Sequence, residues 1–89
     1  MQAVITTIGE DKVGILAKVA TVCADAGVNI CEVTQSILGG TFAMIMLADL
    51  ERCAVSFGEL SARLQEAGHQ IGVEVNITRQ ELFDAMHRI

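Results

Sequence analysis

Residues 41–50 constrain the fold of this 89-residue chain more than any other stretch. Successive side chains of a β-strand point to opposite faces, so each face is read from alternate positions. Both sets of alternate positions here are apolar, with Phe42, Met44 and Met46 in one set and Ala43, Ile45 and Leu47 in the other. A strand that is apolar on both faces is covered on both sides. The stretch therefore predicts a central strand of a sheet.

Three further strands are predicted around it. Residues 2–8 are also apolar on both faces, which predicts a second central strand. Residues 28–38 carry Ile30 and Val33 an odd number of positions apart, which a bulge near Cys31 and Glu32 reconciles, and bulges favour edge strands. Residues 71–77 alternate between apolar and polar positions, as a strand with one wet face does. Gly39-Gly40 predicts a type I′ hairpin between the second and third strands.

Apolar residues at helical spacing predict two long helices. The first covers about residues 13–26 and ends at Gly27, which suits the left-handed position after a helix. The second begins at a capping box formed by Ser56 and Glu59 and ends at Gly68.

A short third helix is predicted over about residues 79–89. Thr78 and Glu81 form a second capping box in front of it. A short helix is marginal in water without tertiary contacts, so we expect its apolar side to pack on the sheet or on another subunit. That side comprises Leu82, Phe83, Met86 and Ile89.

Two strand–helix–strand units joined by a hairpin predict an α+β fold, a ferredoxin-like βαββαβ sandwich with a short C-terminal helix. The two strands that are apolar on both faces belong in the middle, which gives an antiparallel sheet of order 4-1-3-2. One domain is expected over residues 1–89. Both long helices lie on one face, so the other face stays apolar and open. A patch of that kind marks an interface, and we expect at least a homodimer.

Residues 8–16 connect the first strand to the first helix. Gly9 suits the exit from the strand, and Asp11 is placed to cap the helix. Gly14 is expected inside the first turn, where alanine would be the better helix former, so Gly14→Ala should keep the fold if the glycine serves to admit a ligand. If the variant unfolds readily, the glycine serves close backbone packing or a positive φ. Gly14 leaves space there for another backbone or a small ligand. The alternative is a loose helix start that binds nothing.

The pattern Gly9-x-Asp11-x-x-Gly14-Ile15-Leu16 resembles the signature of the ACT domain, an amino-acid-sensing module of metabolic enzymes and regulators. The ACT signature usually has proline where this chain has Val13. The segments 27–30, 42–46 and 83–89 resemble the bacterial stand-alone ACT proteins of an uncharacterised conserved family. The resemblance covers essentially the whole chain and implies the same βαββαβ fold.

Composition excludes several other classes of function. The net charge of −5, the lack of a Lys or Arg cluster and the absence of Trp and Tyr argue against direct nucleic-acid binding. No apolar run approaches the roughly 20 residues that span a membrane, and the N-terminus lacks the features of a signal peptide. We therefore expect a cytoplasmic protein that does not bind membranes.

The cysteines and histidines predict no metal site, cofactor or catalytic group. Cys23, Cys31 and Cys53 have neither zinc nor iron–sulfur spacing, and we interpret all three as reduced packing residues. His69 and His87 have no nucleophile partner in the sequence.

The start of the first helix offers free N–H groups and a positive dipole end for the carboxylate of an amino acid. Asp11 can take the ammonium group, and Asn29 can bond either group. In ACT proteins the ligand lies where the first loop of one subunit meets the second strand of another. The resemblance therefore implies a ligand site made of Glu10, Asp11, Lys12, Gly14, Ile15, Asn29 and Ile30.

Simpler interpretations of three site residues remain open. Asp11 can be a plain helix cap, Asn29 a turn residue, and Lys12 a solvated surface charge.

The sequence favours a regulatory, non-enzymatic protein that binds an amino acid or a similar metabolite at a dimer interface. The resemblance implies that it acts through a partner protein. The first alternative is a ligand-free interaction module of the same fold, and Val13 in place of proline leaves room for it. A small hydrolase or transferase is disfavoured because no nucleophile–base pair is evident.

Overall fold

Four strands and three helices form two strand–helix–strand units and a final short helix. The computed structural model describes residues 1–87. The elements in chain order are β1 (Gln2–Glu10), α1 (Ile15–Asp25), β2 (Asn29–Leu38), β3 (Thr41–Asp49), α2 (Phe57–Ile71), β4 (Val73–Arg79) and α3 (Gln80–Met86). Ile89, assigned by the sequence to the last helix, lies outside the described residues.

The sheet has the order β2-β3-β1-β4, and every neighbouring pair is antiparallel. The predicted βαββαβ fold and the predicted order 4-1-3-2 are therefore confirmed. The predicted β2–β3 hairpin is also confirmed, since both of its glycines have positive φ, 58° at Gly39 and 84° at Gly40. The register between β2 and β3 shifts between Ile30 and Glu32, so the bulge lies where the sequence predicts it.

The core lies between the sheet and the two long helices. Ile5 on β1 pairs with Met46 on β3, and both side chains are fully buried. α1 packs against this layer through Val19, and α2 through Leu60 and Leu64. Burying one aliphatic side chain of this size contributes about 1.5–3 kcal/mol, so these contacts dominate the stability.

One polar residue, Thr7, is buried within this apolar layer. Its cross-strand neighbours are Met44 and Val75, and its side chain is fully buried. Within the described chain its Oγ1 has no hydrogen-bond partner.

The opposite face of the sheet, which we call the open face, is covered only in part. α3 contacts β1 and β4, and Val4 on this face is buried. Ile8 and Ile45 on the same face remain 56% and 48% exposed. α3 itself has no buried residue: Phe83 is half-buried, and Leu82 and Met86 are exposed, so most of its apolar side is uncovered in this chain.

Two predicted helix boundaries are wrong. α2 does not end at Gly68; it continues to Ile71 and is capped by Gly72, which has a φ of 74°. The fourth strand accordingly begins at Val73, two residues later than predicted. The capping box predicted at Thr78 does not form either, because the N-cap of α3 is Arg79, which makes no side-chain capping bond with the described residues.

The N-terminal cap of α2 is confirmed in one direction only. The Ser56 Oγ accepts a hydrogen bond from the Glu59 N–H at 3.1 Å. The Glu59 carboxylate, however, pairs with Arg63 Nε at 3.1 Å along the helix rather than turning back to Ser56.

Gly68 has a packing role in place of the predicted one. A Cβ at this position would lie 2.7 Å from the Val73 carbonyl oxygen and 2.7 Å from Val75 Cγ2. The absence of a side chain therefore lets α2 approach β4 closely.

We expect Gly68→Ala to destabilise the protein by about 1–3 kcal/mol, the usual cost of overpacking, although alanine favours helix. Gly58→Ala in the same helix is the matched control, because beyond its chain neighbours and the adjacent helix backbone no described atom lies within 4 Å of the added Cβ. It should be neutral or stabilise by up to about 1 kcal/mol. Urea unfolding of both variants measures the difference, and equal effects would contradict the close-packing role of Gly68.

Candidate functional site

The first loop of the predicted site, residues 11–14, lies beside the β2–β3 hairpin. The Asp11 N–H donates to the Gly40 carbonyl oxygen at 2.9 Å. Asp11 does not cap α1, contrary to the prediction. Gly14 is the N-cap, with a φ of 90°, so it precedes the helix rather than lying inside its first turn. The bond to the hairpin holds Asp11 at the end of the sheet and delays the start of the helix.

The N-terminus of α1 is not closed by a side chain. Within residues 1–87, no side chain makes a capping hydrogen bond to it, and its first turn holds no acidic residue. The first helical bond runs from the Lys18 N–H to the Gly14 carbonyl oxygen. The N–H groups of Ile15, Leu16 and Ala17 therefore have no partner inside the helix and lie at the positive end of its dipole.

The space in front of this helix end is open. Apart from Gly14 and its two chain neighbours, no described residue has an atom within 4 Å of the position that a Cβ on Gly14 would take. The positive φ, rather than tight packing, therefore favours glycine here. Val13, which stands where the ACT signature usually has proline, is fully exposed.

Lys12 is tied to another part of the chain. Its Nζ donates to the Ile71 carbonyl oxygen at 3.1 Å, at the C-terminus of α2. The ammonium group passes over Gly72, where a Cβ would lie 2.6 Å from it. Lys12 is exposed, as a surface charge would be, but it also connects the first loop to the negative end of the α2 dipole.

Glu10 and Ile15 are the other predicted site residues at the hairpin end of the sheet, and they offer different groups to a ligand. Glu10 ends β1 opposite Thr41 and is exposed. The Ile15 side chain is only 2% exposed and belongs to the core, so its backbone N–H is the group that it offers to a site.

Asn29 and Ile30 lie at the other end of the sheet. They begin β2 and pair with Asp49 and Ala48 at the end of β3. The first loop adjoins the start of β3 at Thr41. Thr41 precedes Ala48 by seven residues, which corresponds to roughly 23 Å along the strand. A single chain therefore does not bring the two halves of the predicted site together.

Asn29 lines a cavity of about 320 Å³ that the sequence did not predict. Its other walls come from Gly27, Asp49, Glu51 and Arg52. The one sequence signal for it was the strand register, because the predicted hairpin aligns the start of β2 with the end of β3. Two further cavities hold none of the predicted site residues; one of about 420 Å³ lies between α1 and α2, and one of about 560 Å³ lies along β4.

The cysteines have three different environments. Burial raises the pKa of the Cys23 thiol to about 11, with a smaller effect from the nearby Cys53. The thiol of Cys23 is thus protonated at neutral pH and serves packing, as predicted. Cys53 is half-buried, and its thiol donates to the Val55 carbonyl oxygen. Cys31 is exposed in the bulge of β2, so the prediction of a packing residue is wrong there.

Neither histidine is hydrogen-bonded to a nucleophilic side chain among residues 1–87. His69 lies in the last turn of α2, and the His87 Nδ1 donates to the Phe83 carbonyl oxygen at 2.7 Å. Within residues 1–87, no three His, Cys, Asp or Glu side chains cluster as metal ligands would. None of the described helices is long and apolar enough to cross a membrane.

Comparison with known proteins gives consistent matches. The family model described as ACT domain matches residues 1–78. A UPF0237 protein of Methanopyrus kandleri is 42% identical over 88 residues, which is 99% of this chain and 98% of the relative. An ACT domain protein from Streptococcus pneumoniae is 32% identical, with a TM-score of 0.83 over 98% of both chains.

A more distant match is the regulatory subunit of aspartate kinase from Thermus thermophilus. It is 25% identical with a TM-score of 0.65, over 86% of this chain and 50% of that subunit.

Replacing Lys12 by Met should remove the bond between the first loop and α2. Because the ammonium group is exposed, we expect a loss of at most about 1 kcal/mol in the free energy of unfolding. Lys18→Met removes the same charge from α1 and serves as the control. Hydrogen exchange should show faster opening around Gly72 only in Lys12→Met; identical exchange in the two variants would contradict the link.

Proposed function

The chain belongs to the ACT domain family, and on that premise we propose that it is a small cytoplasmic regulatory protein that binds a free amino acid, or a similar small metabolite, at a homodimer interface. The observation that carries this proposal is the N-terminus of α1, which no described side chain caps and in front of which Gly14 leaves open space.

The ligand carboxylate would bind the N–H groups of Ile15, Leu16 and Ala17. A helix N-terminus combines free donors with a positive partial charge and so favours a carboxylate. Since neither Asp11 nor Glu10 caps the helix, their carboxylates are available for the ammonium group of the ligand.

The second half of the site would come from another copy of the chain. β2 is an edge strand, and each of its residues is exposed or half-exposed. Apolar side chains lie along it, with Val33 at 43% and Ile37 at 59% exposure. An exposed apolar edge strand is a template for pairing with another strand.

Two-fold pairing of β2 with its copy would join the two halves. Antiparallel pairing over the full strand sets the first residue, Asn29, opposite the last residue, Leu38, of the second copy. Leu38 precedes the hairpin whose Gly40 binds Asp11. Asn29 and Ile30 of one copy would then approach the first loop of the other, and the distance of roughly 23 Å within one chain would be bridged.

One matched structure supports a regulatory role. The matched Thermus thermophilus protein is named a regulatory subunit. Ligand binding would change the surface offered to a partner protein. Three free cysteines fit the reducing cytoplasm. The second candidate is the ligand-free interaction module, favoured by Val13 in the position of the ACT proline.

The dimer interface is tested with two charge insertions. We expect the wild type to sediment as a dimer at micromolar concentration and Ile37→Glu, in β2, to sediment as a monomer because the buried charge would lack a partner. Ile45→Glu on the open face is the control and should leave the dimer intact. A dimer that resists Ile37→Glu but dissociates in Ile45→Glu would place the interface on the open face.

Ligand binding is tested by thermal shift with each of the twenty free amino acids. A ligand at 100 times its dissociation constant stabilises the native state by about 2.7 kcal/mol, which gives a clear rise in melting temperature. A wild type that responds to none of them, at up to 10 mM (about 100 times a Kd of 0.1 mM), would favour the ligand-free module.

Variants of Gly14 locate the site. Gly14→Ala should lower stability by about 1–2 kcal/mol through left-handed strain, contrary to the sequence expectation, whereas Gly14→Asn should cost less because asparagine tolerates that conformation. Both variants place a side chain before α1, so both should weaken binding of the responding amino acid. Unchanged affinity in both would move the site away from this helix.

A further inference from the structure

The cavity beside Asn29 is built from four parts of the chain. Gly27 follows α1, Asn29 begins β2, Asp49 ends β3, and Glu51 and Arg52 lie in the loop before α2. Its volume of about 320 Å³ is at the lower end of the range for small-molecule sites. It is therefore large enough for the side chain of an amino acid.

The walls of this cavity are held in place by short-range bonds. The Asp49 Oδ1 accepts a hydrogen bond from the Glu51 N–H at 2.9 Å. The Ala54 N–H donates to the Ala26 carbonyl oxygen at 2.8 Å, which ties the loop to the turn after α1. Gly27 permits this contact, since a Cβ there would lie 2.6 Å from the Arg52 carbonyl oxygen. The cavity is thus preformed.

Some of the polar groups around the cavity have no hydrogen-bond or ion-pair partner in the described chain and are available to a ligand. Asp49 uses one carboxylate oxygen in the loop, and the other accepts nothing within the described chain. The one ion pair within 4 Å among residues 1–87 joins Arg63 to Glu59. The carboxylates of Asp49 and Glu51 therefore lie more than 4 Å from the Arg52 guanidinium nitrogens. Two carboxylates and one guanidinium give the walls a formal charge of −1.

We propose that this cavity binds the side chain of the amino acid and selects a cationic side chain. The inference rests on the proposed function: while one copy holds the ligand carboxylate at α1, two-fold pairing of β2 brings Asn29 and its cavity from the other copy to the ligand's far end.

The chemistry of the walls decides the preference. Carboxylates only accept hydrogen bonds, so Asp49 and Glu51 favour an ammonium or guanidinium group. An aliphatic side chain would desolvate these charged walls without replacing their hydrogen bonds to water, which is unfavourable. Arg52 would repel a cationic side chain and attract an anionic one, so its removal should strengthen the preference.

Calorimetric titration of the full chain with lysine, norleucine and glutamate tests the inference. Norleucine keeps the length of lysine without its ammonium group. Lysine should bind about two- to fivefold more tightly than norleucine, the effect of a partly exposed charge pair. The lysine-to-glutamate affinity ratio should rise by a similar factor in Arg52→Met and fall in Asp49→Asn and Glu51→Gln.

Matched controls remove the effect of overall charge. Arg63→Met and Glu66→Gln make the same charge changes on α2, beside a different cavity, and should leave the ratio as it is in the wild type. Norleucine binding as tightly as lysine, or cavity variants behaving like these controls, would overturn this inference alone. A wild type that binds none of the twenty amino acids would overturn both the inference and the proposed function.

Discussion

The antiparallel pairing of β1 with β3 is the constraint on which the rest of the molecule depends. Nine consecutive residue pairs align the two strands, from Gln2 with Asp49 to Glu10 with Thr41. A slip by one residue would turn the buried Ile5 and Met46 away from the helices, so the core fixes this register. Once the two central strands are aligned, β2 and β4 can occupy only the edges, and both ends of the sheet are determined.

These two ends carry different parts of the candidate site. At the hairpin end, the first loop is bound on one side to Gly40 and on the other to Ile71. That loop therefore touches both the β2–β3 hairpin and the C-terminus of α2. A ligand at the start of α1 would act on a segment that contacts both this hairpin and α2, which is a physical route from binding to a change of surface.

At the opposite end, the chain forms a polar cavity rather than an anion site. Asn29 belongs to it, but so do Asp49 and Arg52, which reach it from β3 and the following loop. Under the proposed function, the separation of the α1 N-terminus from this cavity would leave each chain with only half of the binding site. Antiparallel pairing of the exposed β2 edge with its copy would be the simplest symmetric way to join the two halves.

The sequence by itself determined the architecture. Apolar residues in both phases of β1 and β3 placed these strands in the middle of the sheet, the odd spacing of Ile30 and Val33 required a bulge, and Gly39-Gly40 required a hairpin of positive φ. These signals are local, because side-chain period and backbone freedom are properties of a few adjacent residues.

Only the tertiary structure decided where α1 begins, where α2 ends and what the site residues do. Asp11 is removed from the helix cap by a bond to Gly40, which is distant in sequence. Gly68 lies inside α2, where it packs against Val73 and Val75 on β4. The walls of the cavity likewise converge from separate segments. Contacts of this kind depend on which segments the fold brings together, and no local pattern in the sequence contains that information.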